Sequence, residues 1–120
     1  KGYKGQLSED LEKIYYYQAK LSPALSEPHA EFTGDIVERV FKILGSGGCA
    51  ITDVNPFYKE LFKPDELPVP KTINEYNDMV HELLNNDKLN QEYRQKGFQA
   101  IMSRHTYEHR ARKILKLLRN

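Results

Sequence analysis

The stretch GDIVERVFKILGSGGCAIT, residues 34–52, constrains the fold more than any other part of the chain. Within it Ile36, Val37, Val40, Phe41, Ile43 and Leu44 cover most of a helical circumference, the pattern of a helix pressed tightly onto a sheet. The spacing predicts a helix over 35–44 that ends at Gly45, because glycine takes a left-handed cap without steric penalty. The GGCAIT segment that follows is short, small and apolar, and reads as a strand buried on both faces of a parallel sheet.

The flanking segments extend this unit in both directions. Leu7, Leu11, Ile14, Tyr15 and Gln18 recur at helical spacing behind Ser8, with Glu9 and Asp10 where a helix start favours negative charge, so a helix is expected from Ser8 to Ala19. Leu21, Ala24 and Leu25 around Pro23 predict a short extended piece and then a loop. Asn55 and Pro56 read as N-cap and first position of a brief helix through Phe62, and ELPVP, at 66–69, as a further strand confined to an edge by Pro68. Beyond it Thr72 and Glu75 form a capping box for an amphipathic helix. A second helix carries Leu89, Tyr93, Ala100 and Ile101, with Gly97 as a weak point, and a third follows Thr106 with Tyr107, Ala111, Ile114, Leu115 and Leu118 on one face.

This order predicts an α/β fold: an incomplete Rossmann-like three-layer domain with a small parallel sheet and a C-terminal helical cluster. A chain of 120 residues makes one domain over 1–120, with an α/β core over 1–70 and closing helices over 71–120. No charged-then-apolar leader or long apolar run is visible, and the first residue is Lys1, so the segment reads as part of something longer. A single cysteine, Cys49, forms no internal disulfide and fits a reducing, cytoplasmic compartment. Eighteen basic against seventeen acidic side chains exclude a strong overall field, so no nucleic-acid partner is implied by charge.

Two ordered blocks give the sequence a family likeness. Gly34, Asp35, Ile36, Arg39, Val40, Phe41, Gly47, Gly48, Thr52, Asp53, Asn55, Pro56, Leu61 and Phe62, followed by His105, Thr106, Tyr107, His109 and Arg110, resemble the C-terminal part of the GT-B glycosyltransferase-like family that includes the spore-maturation and spore-coat-associated proteins of bacilli. The likeness covers roughly residues 5–119. It implies the nucleotide-sugar-binding half of a two-domain transferase, with an N-terminal acceptor domain as its partner, an NDP-sugar as co-substrate, no metal, and a cytoplasmic, spore-associated setting.

Ligands of open α/β sheets gather beyond the carboxyl ends of the strands, where helix N-termini hold phosphate. The donor-facing set expected there is Thr33, Gly34 and Asp35 in one loop and Thr52, Asp53 and Asn55 in the other. The resemblance implies acids at two positions with seven residues between them, and this chain has Gly34 and Lys42 at those places. Lys42 is therefore the ribose-facing position. Its competing reading is a solvated lysine paired with Glu38 one turn earlier.

Other readings compete with a catalytic one. The competing alternative is a non-catalytic structural or interaction module of the spore. The basic tail RHTYEHRARKILKLLRN can give weak peripheral contact with an anionic membrane, although packing of its apolar side on the domain's own sheet is the commoner outcome. His105 and His109 have metal-ligand spacing but no third ligand nearby, and are expected to seat the last helix. Cys49 is expected to be an inert buried residue, and at least one of Tyr15, Tyr16 and Tyr17 is expected to be exposed.

Overall fold

The structure, a computed structural model, describes every residue except Lys1, Lys4, His29 and Asn120, together with the side chains of Ala30 and Glu31 excepted. The elements run α1 (Glu9–Gln18), β1 (Ser22–Ala24), α2 (Ala30–Thr33), α3 (Glu38–Gly45), β2 (Ala50–Thr52), a 3-10 helix (Pro56–Glu60), α4 (Ile73–Asn85), α5 (Asp87–Arg104) and α6 (Tyr107–Arg119). β1 and β2 pair in parallel with Ser22 opposite Ala50 and Ala24 opposite Thr52. This is a small α/β fold whose parallel pair is flanked by helices, a partial Rossmann-like arrangement.

The pleat of β2 sorts the core into two layers. Ala50 faces Val40, Ile43 and Leu44 of α3 and, with Ala24, Tyr58, Phe62, Leu67, Ala100 and Ile101, forms the larger cluster. Cys49 and Ile51 point the other way onto Leu83, with Tyr76, Met79 and Leu89 packed around them. Alternate side chains of one short strand thus enter opposite layers, as a strand covered on both faces requires. Pro23 is exposed opposite Ile51 and is tolerated because β1 is an edge strand whose outer side needs no donor.

Several boundaries differ from the sequence expectation. The helix predicted over 35–44 begins at Glu38, because Gly34 adopts φ 79° and the chain stays extended through Val37. Its cap is Gly47, not Gly45: Gly47 takes φ 78°, its N–H donates to Leu44 O at 3.0 Å, and Gly48 N–H donates to Ile43 O at 2.9 Å. That pair of bonds satisfies the last carbonyls of α3 in a Schellman closure. The strand expected over 66–69 does not form. Its one bond to β2 is Thr52 N–H to Pro68 O at 3.5 Å, and Pro68 and Pro70 lack the donors a ladder needs.

The α1 stripe predicted from Leu7, Leu11, Ile14 and Tyr15 faces away from the core, and α1 buries no residue; Tyr16, on the opposite side, is the one packed on α3. Two polar residues of α5 fasten this helix instead. Asn90, 3% exposed, donates to Lys20 O at 2.8 Å and Leu83 O at 3.1 Å. Arg94 donates to Tyr17 O at 2.8 Å, Ala19 O at 2.5 Å and Gly47 O at 3.2 Å, with its Nε on Asn90 Oδ1 at 2.7 Å.

The closing helices keep their predicted starts. Thr72 Oγ1 accepts from Glu75 N–H at 3.1 Å, while Glu75 reaches back one residue further than a standard box, to Lys71 N–H at 2.6 Å. Gly97 is where α5 crosses α3: a Cβ there would lie 2.8 Å from Leu44 Cδ2 and 3.1 Å from Glu66 O. Helix propensity alone favours Gly97→Ala by about 1 kcal/mol. The close crossing reverses the sign, so this variant is expected to lower stability by about 1–3 kcal/mol in urea unfolding; a stabilised variant would show that the crossing relaxes freely.

Candidate functional site

Because β1 and β2 are parallel, the segments leaving Ala24 and Thr52 emerge at one edge of the sheet. The structure joins them. Asn55, 1% exposed, donates from Nδ2 to Asp35 O at 3.0 Å, and its Oδ1 accepts from Phe57 N–H at 3.0 Å, which caps the 3-10 helix. Asp53 accepts from Ser26 N–H at 2.8 Å and from Ser26 Oγ at 3.3 Å, tying the β2 exit to the β1 exit. Gly34 sits against the Phe57 ring, where a Cβ would come within 3.3 Å, and its positive φ also favours glycine.

The six residues expected to face a donor divide by environment. Thr33 and Asp35 are exposed, with Thr33 Oγ1 donating to Asp35 Oδ2 at 2.8 Å, and Gly34 is half-buried between them. Thr52 is fully buried with its hydroxyl on Asp53 O at 3.0 Å, and Asn55 uses both ends of its amide inside the protein. The second trio frames the loop that carries the first. At the head of α3 the cap position is Val37, which has no acceptor to offer the helix; its own N–H donates to Tyr58 Oη at 3.4 Å.

Lys42 lies elsewhere, one turn down α3, exposed on a groove of about 480 Å³ between α1, α3 and the start of α6. Glu12, Glu38, Phe41, His105, Tyr107 and Arg110 also line it. The ion pair considered between Glu38 and Lys42 is not formed: Glu38 Oε1 accepts from Tyr107 Oη at 2.7 Å, and among the described residues Lys42 has no salt bridge. The Arg110 guanidinium stands 4.7 Å from the Phe41 ring centroid. Sequence reasoning missed the Glu38–Tyr107 and Phe41–Arg110 contacts, since no local pattern links residues so far apart in the chain.

The two histidines do seat the last helix. His109 Nδ1 accepts from Thr106 N–H at 3.2 Å while Thr106 Oγ1 accepts from His109 N–H at 3.3 Å, a reciprocal cap with histidine in the place of glutamate. His105 packs its ring 4.9 Å from Phe62 and 5.7 Å from Phe41, and Nε2 lies 2.9 Å from Leu61 O. A carbonyl only accepts, so that nitrogen carries the proton. Among the described residues no group of three or more His, Cys, Asp or Glu could hold a metal ion. Cys49 is buried, and burial pushes its thiol up to about 11 despite the nearby Arg94, so it is not a thiolate at neutral pH. Tyr15 and Tyr17 are exposed, while Tyr16 donates to Glu12 Oε1 at 3.1 Å.

Two titrating groups hold the end of α5. Burial lowers the His105 pKa below its ordinary 6.5, with Arg104 and Arg110 adding to the effect. Burial alone would raise Glu66, but the Arg104 guanidinium at 2.5 and 3.1 Å and the Lys63 N–H at 2.9 Å outweigh it, and its pKa falls below 4.5. Both depressed values mean that stability is lost on acidification. For His105 the stability of the neutral ring is complete above 6.5 and declines as pH falls below it; for Glu66 it is complete above 4.5 and lost through the lower folded value. Thermal unfolding followed by circular dichroism is expected to show both limbs, His105→Gln removing the upper and Glu66→Gln the lower, with Glu66→Gln costing about 2 kcal/mol at neutral pH. An unchanged acid profile in both variants would refute the assignment.

The comparison with known proteins bears on this geometry. No curated protein and no solved structure matches the chain. The sequence model of the glycosyl transferase-like family matches residues 7–116, which takes in α1, both strands, the latched loops and all but the end of α6. The chain belongs to the glycosyl transferase-like family.

Proposed function

We propose that this domain is the nucleotide-sugar donor-binding half of a two-domain glycosyltransferase that moves a hexosyl group from an NDP-sugar to an acceptor held by an N-terminal domain, in sporulation or cell-envelope chemistry. The observation that carries the reading is the latch between Asn55 and Asp35 O, which holds the two strand-exit loops together beside the open head of α3. Val37, at the cap position, makes no side-chain bond to the first-turn N–H groups of α3, and the positive end of the helix dipole favours an anion there.

In this reading the departing diphosphate rests against the start of α3, and its developing charge is stabilised by those amides without a metal. Thr33, Gly34 and Asp35 face the donor, and the Asp35 carboxylate accepts bonds from sugar or ribose hydroxyls. Asp53 and Asn55 act by fixing the loop, since their polar atoms already bind Ser26, Asp35 O and Phe57 N–H, and the buried Thr52 hydroxyl donates to Asp53 O. Lys42, in the ribose-facing position, only donates, so the ribose hydroxyls meet a donor in place of the acceptor implied by the family likeness.

Two observations favour the second reading, a non-catalytic interaction module: the ribose position holds Lys42, and the polar atoms of Thr52 and Asn55 are engaged inside the protein. Amide shifts recorded while UDP, GDP and their sugars are added separate the two. The donor reading expects millimolar binding with shifts at 33–36 and in the first turn of α3, weakened about fivefold by Asn55→Ala, since losing the latch forfeits roughly 1 kcal/mol of preorganisation. Silence at millimolar nucleotide supports the interaction module. Lys42→Glu is expected to tighten nucleotide binding about tenfold if α3 meets the ribose; identical affinities would place Lys42 outside the donor site.

A further inference from the structure

Burial runs against the sequence expectation at α6, which buries no residue although its apolar side is expected to pack on the domain's own sheet. Tyr58 is buried more deeply than its chemistry requires. Its ring is fully enclosed in the larger core cluster, and the donor reading gives it no role. A buried phenol has to find partners for its hydroxyl, and this one finds them among the strand-exit loops.

The ring comes from the 3-10 helix that continues from the exit of β2. Its hydroxyl accepts from Val37 N–H at 3.4 Å and shares a hydrogen bond with the Ser26 side chain, which in turn donates to Asp53 Oδ1 at 3.3 Å. One buried oxygen thus touches the exit of β1 through Ser26 and the approach to α3 through Val37. Burial pushes the phenol above its ordinary 10, with the Val37 N–H and Ser26 working against the rise, so the group is a neutral hydroxyl near pH 7.

Two side chains of the β2 exit then grip the same short run of backbone. Asn55 Nδ2 holds Asp35 O, and Tyr58 Oη holds Val37 N–H. A single tether would leave that run free to pivot; two fix its direction. With Val37 N–H turned inward, the first N–H groups of α3 that have no partner among the described residues are those of Glu38 and Arg39.

We propose that Tyr58 is a positioning residue of the donor site: its hydroxyl, bridging Ser26 and Val37, holds the 33–37 loop and the head of α3 in the orientation that receives the diphosphate. The proposal rests on the donor reading and adds the group that preorganises the site from beneath. Being fully buried, Tyr58 meets no ligand itself and acts through Val37.

The test uses the full chain. Tyr58→Phe keeps the ring and removes the oxygen. In the free protein, amide hydrogen exchange at Val37 is expected to speed up about fivefold relative to that of α5, and affinity for UDP and GDP, read from amide shifts, to weaken about fivefold, the worth of one lost hydrogen bond. Ser26→Ala, which leaves the ring untouched, should act in the same direction, and the double variant should lose no more than the larger single change, because the two hydroxyls work as one chain. Leu83→Val, a core change in the layer on the other face of β2, is the control for lost stability and should leave nucleotide affinity unchanged. Unaltered exchange at Val37 in Tyr58→Phe overturns the proposal, as does an equal loss of affinity in Leu83→Val. Full nucleotide affinity in Tyr58→Phe overturns it while the donor reading stands. A wild-type chain silent to both nucleotides at millimolar concentration overturns the donor reading and the positioning role together.

Discussion

Arg94 is the point on which the arrangement of the layers depends. Its donors go to backbone carbonyls and to Asn90, with no carboxylate paired to it among the described residues: Tyr17 and Ala19 O at the end of α1, Lys20 O at 3.3 Å, and Gly47 O in the turn that ends α3. Two helix C-termini, each with a partial negative charge, thus converge on one cation. Arginine suits the place because its rigid fork can serve several acceptors at once, which a lysine ammonium cannot match in geometry. α1 has no buried residue with which to hold itself, so its position comes from this clamp and from Tyr16.

The clamp has a consequence for the opposite edge. It gathers the ends of α1 and α3 at the side where the strands begin, so the side where they finish is left to loops. Those loops are then tied by a different kind of bond, side chain to backbone, through Asn55, Asp53 and Ser26. The glycine turn between the two edges is equally constrained: a Cβ on Gly48 would meet Tyr16 O at 2.6 Å, so α1 can approach α3 only because that position is bare. A loop held by buried amide bonds moves little, and a ligand that needs its geometry finds it already formed.

What was legible in the sequence followed from periodicity and caps. The two-sided burial of Cys49–Thr52, the caps at Asn55 and Thr72, the three closing helices and the parallel pairing all have local causes written in short stretches. What was not legible depended on partners far along the chain. The apolar spacing of Leu7, Leu11 and Ile14 marks a stripe but not its direction, and Arg94, a helix residue of unremarkable type, decides which side of α1 meets the core. The extended start before α3 follows from Gly34 and Tyr58, the ring of Phe57 fixing the first and the hydroxyl of the second holding Val37. ELPVP has the composition of a strand, yet two prolines spaced two apart remove the donors from a single side. In the site, the residue types were readable but not their duties: an asparagine after a buried strand looks the same whether it meets a ligand or another loop.

The groove that holds Lys42 joins the two sequence blocks on which the family likeness rests. Glu38 and Phe41 come from one block, His105, Tyr107 and Arg110 from the other, and each block supplies the other's partner: a carboxylate for the tyrosine, a ring for the arginine. Neither contact is worth more than about 1 kcal/mol at so exposed a place. Their effect is directional. With the first turn of α6 pinned to α3 and the following turns uncovered, the pair sets the angle at which the helix leaves the domain. The groove is then bounded on one side by α3 and on the other by a helix whose far end lies outside the core. Any surface that receives the exposed Ile114, Leu115 and Leu118 of α6 would also bring the Lys42 face of α3 alongside it, since both border the one groove.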